Sequence, residues 1–142
     1  DMGGSKRANA YSRHLQAEMV LCYKLRKKPN VVEEMSVIGE VEGRNVVIID
    51  DMVDTAGTLV LAADMMKEKG AKSIRAFATH PILSGNAVER INNSAIEELV
   101  VTDSVPFNSS SDKIKVLSIA QIFARTIQAV TNNSSISTNF VF

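Results

Sequence analysis

Cysteine is nearly missing from this sequence: Cys22 is the single one in 142 residues, and it lies inside an apolar run. One thiol cannot staple a fold internally, so a disulfide scaffold is excluded and a small buried hydrophobe is the expected role. Charge of one sign is missing too, because sixteen Lys and Arg are matched by sixteen Asp and Glu. No summed field favours nucleic acid or an anionic membrane, so any anion site must be built locally. No apolar stretch approaches the roughly 20 residues that span a bilayer. The opening Asp1-Met2-Gly3-Gly4-Ser5-Lys6-Arg7 carries no apolar signal region. These absences point to a cytoplasmic protein that handles a small molecule, with no nucleic acid and no membrane.

What is present suffices for a packed core. Hydrophobic residues make up 45% of the chain, and the length suits one domain over residues 1–142. Gly3-Gly4 reads as a turn of the kind that follows a strand, so the sequence is expected to be a fragment. The alternative is a cloning scar at those two glycines.

Residues 5–15 carry Ala8, Ala10, Tyr11 and Leu15 at a spacing that gives one buried helical face. Residues 19–23 read as a short buried strand. Residues 24–30, Lys-Leu-Arg-Lys-Lys-Pro-Asn, read as a loop, since Pro29 pushes Lys28 out of the helical region. Residues 36–40 and 45–49 are two β-rich runs joined by Val41-Glu42-Gly43-Arg44, the connection a hairpin would want. The unbroken Val46-Val47-Ile48-Ile49 suggests a central strand covered on both faces. A helix is expected from Gly57 to a stop at Lys67-Glu68-Lys69-Gly70. Strands near 74–79, 99–102 and 115–117, and helices near 85–93 and 119–130, complete the pattern. Strands alternating with helices at this spacing call for α/β architecture with a mostly parallel sheet. The Asn-, Ser- and Thr-rich tail from Asn132 reads as weakly ordered unless Phe140 and Phe142 dock onto a neighbour.

Chemistry concentrates in Ile49-Asp50-Asp51-Met52-Val53-Asp54-Thr55-Ala56-Gly57-Thr58-Leu59. An apolar strand runs there into acids, small residues and hydroxyls, and then into a helix. Sites in parallel α/β sheets lie at the carboxyl ends of strands, where the free N–H groups and dipole of the next helix can cradle a phosphate. Gly57 would let the backbone come close, and Thr55 and Thr58 would donate hydroxyls or cap the helix. Three acids beside an anion cradle need another partner, either sugar hydroxyls or a divalent cation. A ribose 5-phosphate satisfies both demands, with its phosphate on the cradle and its 2- and 3-hydroxyls on Asp50 and Asp51. The plainer alternative is that Asp50, Asp51 and Asp54 only cap and turn the chain. No lysine follows the glycine, so this is not a Walker loop.

The run Val47 to Thr58 resembles the phosphoribosyl diphosphate signature of the type I phosphoribosyltransferase fold, a three-layer Rossmann-like sheet flanked by helices. Further blocks resemble ribose-phosphate diphosphokinases: Asp1-Met2-Gly3-Gly4, Arg7-Ala8, Lys24-Leu25-Arg26, Lys28-Pro29-Asn30-Val31, Thr79-His80-Pro81, Leu83-Ser84-Gly85 and Ala87-Val88-Glu89-Arg90-Ile91. The likeness covers nearly the whole chain and implies the carboxyl-terminal half of such an enzyme, a transferase of nucleotide biosynthesis. By that resemblance, the β,γ-diphosphoryl group of ATP moves onto the 1-hydroxyl of ribose 5-phosphate. Lys24 and Arg26 then fall on the catalytic loop. Asp50, Asp51, Asp54, Thr55, Ala56, Gly57 and Thr58 bind ribose 5-phosphate, as does Arg26, and Gly3 and Gly4 approach the diphosphate. Asp1 helps hold Mg²⁺, with its histidine partner and the ATP-facing elements expected upstream. The resemblance also implies a homo-oligomer, a hexamer built from dimers. Tyr23 and Leu25 depart from the residues usual around the catalytic lysine. His80 and His14 read as structural or surface positions. Two alternatives remain: a phosphoribosyltransferase that consumes phosphoribosyl diphosphate, and a catalytically silent homologue. The isolated fragment is expected to bind ribose 5-phosphate better than it turns over.

Overall fold

The computed structural model describes residues 2–25, 34–107 and 110–137. Helix α1 (Met2–Leu15) leads to β1 (Leu21–Leu25), which pairs antiparallel with β2 (Glu34–Ile38), Cys22 standing opposite Val37. A second sheet of four parallel strands follows: β3 (Asn45–Val53), β4 (Ser73–Pro81), β5 (Glu98–Thr102) and β6 (Ile114–Leu117), in that spatial order. Between them run α2 (Gly57–Glu68) and α3 (Ala87–Asn92), and α4 (Ala120–Thr131) comes after β6. The chain is thus α/β, with a parallel sheet flanked by helices, as its alternating pattern predicts.

The core lies between the sheet and the two crossover helices. Ile74, Ala76 and Ala78 of β4 alternate inward with Leu99 and Val101 of β5, against Leu59, Ala63 and Met66 of α2 and Ala87 and Ile91 of α3. Alanines at 62, 63, 76 and 78 leave room for helix and sheet to approach closely. Helix α2 stops as its sequence suggests: Gly70 takes φ 88°, and the Ala71 N–H reaches back 3.0 Å to the Met66 carbonyl, closing the last turn.

Strand order explains why one face of the sheet is better covered than the other. Each strand is added on the same side of the last, so right-handed crossovers put α2 and α3 on one face. The opposite face carries Val47, Phe77 and Leu117, which are 48%, 41% and 62% exposed. The expectation that β3 is a central, doubly covered strand is therefore corrected: it is the edge strand of the described sheet.

Three local expectations also change. The predicted hairpin of 36–40 with 45–49 does not form, since β2 pairs with β1 and β3 with β4. Gly43 does turn the chain, at φ 67°, but its N–H goes to the Gly70 carbonyl at 2.8 Å, tying together the loops that enter β3 and β4. The first strand runs two residues later than expected, so Lys24 and Leu25 belong to β1, opposite Met35 and Glu34. Gly3 and Gly4 lie within α1, which begins at Met2. They make a helical first turn rather than a strand-following one, because the run from Ser5 onward propagates helix back through residues that glycine permits but does not favour.

Candidate functional site

The acid-rich segment sits at the carboxyl end of β3, with its first acids inside the strand. Asp50 is in register with Ala78 and Met52 with His80, so the ladder carries the carboxylates to the rim of the sheet. The Asp50 carboxylate accepts the Asp51 N–H at 2.9 Å. Arg7 of α1 lies 3.5 Å from the Asp51 carboxylate, both side chains being about half exposed at 46% and 61%. Burial raises the Asp50 pKa above its ordinary 3.8, and the neighbouring Asp51 carboxyl adds to this, while the Asp51 amide and Arg7 pull it back. Asp51 moves the other way, held down chiefly by the hydrogen bond from Asp50 and also by Arg7. On acidification Asp50 therefore takes up a proton before Asp51 does. Beside it opens a cavity of about 360 Å³. Its walls are Arg7 and Tyr11 of α1, Asp50 and Asp51, and the rim of the sheet at Phe77, Thr79, Thr102 and Leu117.

Beyond Val53 the chain turns sharply into α2. Ala56 occupies the N-cap in the left-handed region, φ 59° and ψ 1°, with no side chain capping the helix. Its carbonyl takes the first helical bond, from the Val60 N–H at 2.9 Å. The amides of Gly57, Thr58 and Leu59 precede that first rung and point out of the helix end, where the dipole favours an anion. One expectation is corrected here: Thr55 and Thr58 do not cap α2. The left-handed residue of the loop is Ala56, and at the neighbouring Gly57 an added Cβ would meet only ordinary contacts, 3.5 Å from Arg90 and 3.9 Å from Thr55. The segment from Asp54 to Thr58 does not border the cavity, so acid pair and amide cradle are adjoining parts of the rim.

The loop is braced by residues from the next crossover. The Leu83 N–H donates to the Val53 carbonyl at 3.0 Å and the Ser84 N–H to the Asp54 carbonyl at 3.1 Å. The Ser84 hydroxyl donates to the Asp54 carboxylate, a brace made at the surface, where Asp54 is exposed. Arg90 of α3 donates to the Thr55 carbonyl at 2.9 Å. These braces are invisible to local pattern: Ser84 and Arg90 are 30 and 35 residues from their partners. The only signal was topological, since adjacent parallel strands deliver their following loops to the same rim.

His80 is hydrogen-bonded to Ser104 at 2.9 Å, and the Ser104 and Thr102 hydroxyls donate to the Thr79 carbonyl at 3.0 and 2.7 Å. This network stitches the ends of β4 and β5, in keeping with a structural histidine. Of the remaining predicted site residues, Lys24 has its backbone in β1, while Asp1 and Arg26 lie outside the described residues. Among the described residues no group of three or more His, Cys, Asp or Glu is arranged to hold a metal. None of the described helices is long and apolar enough to cross a membrane.

The family model for the phosphoribosyl synthetase-associated domain matches residues 2–141. The chain belongs to that family. This phosphoribosyl synthetase-associated domain is 46% identical, over all of its length, to a ribose-phosphate pyrophosphokinase of Porphyromonas gingivalis, of which it covers 45%. It is 49% identical to one of Burkholderia pseudomallei, with 99% of this chain and 45% of that one covered. The crystal structure of phosphoribosylpyrophosphate synthetase from Mycobacterium smegmatis superposes with a TM-score of 0.79 at 30% identity, over 90% of this chain and 43% of that one. The domain thus spans somewhat under half the length of these curated relatives. The narrower expectation that it is the carboxyl-terminal half does not stand. The match is to the synthetase-associated domain as such, and it aligns with 45% of the length of each of these two relatives.

Proposed function

We propose that this domain forms the ribose-5-phosphate site of a ribose-phosphate pyrophosphokinase. Joined to the remainder of its polypeptide, it would transfer the β,γ-diphosphoryl group of ATP to the 1-hydroxyl of ribose 5-phosphate, releasing AMP and phosphoribosyl diphosphate for nucleotide biosynthesis. The observation that carries this reading is the uncapped start of α2, opened by left-handed Ala56 one turn beyond a pair of carboxylates. An amide cradle for a phosphate beside acceptors for a diol is the chemistry a ribose phosphate needs. The names of the relatives supply the reaction.

In this reading the amides of residues 56–58 and the hydroxyls of Thr55 and Thr58 take the 5-phosphate, and Asp50 and Asp51 accept the ring hydroxyls. Asp54, held by Ser84, keeps the loop shaped for the ligand. Lys24 and Arg26 stabilise charge on the moving diphosphoryl group, the guanidinium as a planar fork and the ammonium as a point charge. Gly3 and Gly4, in the first turn of α1 where amides are free of the helical ladder, offer their N–H groups to the diphosphate. Mg²⁺ needs only one or two carboxylates beside substrate phosphates. Asp51, exposed at the rim, has that chemistry, and Asp1 is assigned to the same ion. Bound there, Mg²⁺ would neutralise charge on the transferring group.

The test is direct. Full-length protein supplied with Mg²⁺, ATP and ribose 5-phosphate is expected to release AMP, whereas this domain alone binds ribose 5-phosphate without turnover. Binding without AMP release from the full-length protein would identify a silent homologue instead. In the same assay Lys24→Ala should lower kcat about 100-fold, as loss of a transition-state donor does, with little effect on ribose-5-phosphate affinity. Equal losses in both would remove Lys24 from the transition state.

A further inference from the structure

We infer that Arg90 is a positioning residue for the phosphate loop, holding the Thr55–Ala56 peptide so that its amide faces the ligand. This rests on the ribose-5-phosphate reading above and assigns a role to a side chain that lies behind the site rather than in it.

The geometry begins with the strained residue. Ala56 has φ 59°, a left-handed conformation that is strained for an L-residue with a Cβ. Its Cβ is buried, so packing anchors the residue, but packing alone does not choose which way the preceding peptide faces. A planar trans peptide points its C=O and N–H in opposite directions. The Arg90 guanidinium donates to the Thr55 carbonyl at 2.9 Å and so draws that oxygen toward α3. The Ala56 N–H is thereby turned to the other side, toward the open start of α2. Were the peptide to flip, Ala56 could relax toward negative φ, but a carbonyl oxygen would then face the phosphate. A positively charged donor on the far side opposes that flip.

Two further observations place Arg90 as the last of a set of clamps. The Val53 and Asp54 carbonyls are already held by the N–H groups of Leu83 and Ser84 at 3.0 and 3.1 Å. Thr55 supplies the next carbonyl along the loop, and no backbone donor from residues 82–86 reaches it; Arg90 does. The guanidinium also lies 3.5 Å from the position of a Cβ on Gly57, so it rests against the back of the loop while the front stays free.

The test uses the full-length protein and steady-state kinetics for both substrates. Arg90→Met keeps the apolar stem and removes the donor. It is expected to raise the KM for ribose 5-phosphate roughly 10- to 100-fold, the range for losing a charged hydrogen bond. The KM for ATP and kcat should stay within about threefold. Arg90→Lys, which retains a donor, should recover most of the loss, and free guanidinium ion should partly rescue Arg90→Ala. A merely structural role would reduce the active fraction and hence apparent kcat, leaving the KM values for both substrates unmoved. An unchanged KM for ribose 5-phosphate in folded Arg90→Met overturns the inference, as does an equal rise for both substrates. If the unaltered protein binds no ribose 5-phosphate, the proposed function falls and this inference falls with it.

Discussion

Asp50 and Asp51 are adjacent in the chain, and their carboxyl pKa values move in opposite directions. Burial gives Asp50 the raised pKa, and its hydrogen bond to Asp51 lowers that of its neighbour. The consequence for binding has a definite sign. Ring hydroxyls need an ionised acceptor, and acidification protonates Asp50 before it would an ordinary aspartate. Ribose-5-phosphate affinity should therefore fall with pH starting above the usual carboxylate value of 3.8. Asp50→Asn should abolish that acid step, leaving the ligand phosphate's own titration near about 6 and, at lower pH, that of Asp51; calorimetric titration across pH for both proteins checks it. At this scale the sequence was informative about which residues are chemical and less so about what each does. Asp54 reads in the sequence as a third ligand, and the structure adds to it a hydrogen bond from Ser84, which comes from the next crossover. Thr55 and Thr58 looked like caps, but Ala56 has the cap position in a conformation that composition cannot signal.

Among the elements, the crossover units were the most legible. The α2, α3 and β5 spans follow from an apolar period that changes from two to near four at turn residues, and burial on one face confirms it. The β1–β2 pair was misread because Gly43 is a genuine turn whose strands find other partners: pairing is a property of the sheet and not of the loop. The same distinction sets stability. Leu99 is fully buried between the sheet and its helices, so Leu99→Ala should cost about 2–5 kcal/mol, read as a lowered midpoint in urea unfolding. Phe123→Ala on α4, where the side chain is 58% exposed, should move that midpoint little.

For the molecule as a whole, the uncovered surfaces are as informative as the covered ones. No residue of α4 is buried, and Ile122, Phe123, Ile127 and Val130 leave an apolar stripe 57–63% exposed. An apolar stripe of this kind supports the proposal that the full-length protein is a homo-oligomer. Charging the stripe with Phe123→Glu and Ile127→Glu should leave the fold intact, each change costing no more than about 0.5 kcal/mol, while shifting sedimentation toward smaller species. Unchanged sedimentation would place the subunit contact elsewhere.

The strictly sequential order of β3, β4, β5 and β6 also has a bearing on how the chain reaches its native state. After β3, each strand of the described parallel sheet pairs with the one made just before it, through a crossover of modest length. Loop closure is therefore never asked to span the whole chain, which favours fast assembly. During synthesis the sheet can lengthen one strand at a time, each strand finding its partner already in place. The phosphate loop, lying between the first two strands, takes its braces from the second crossover and so acquires its working shape only after β4 and α3 have arrived.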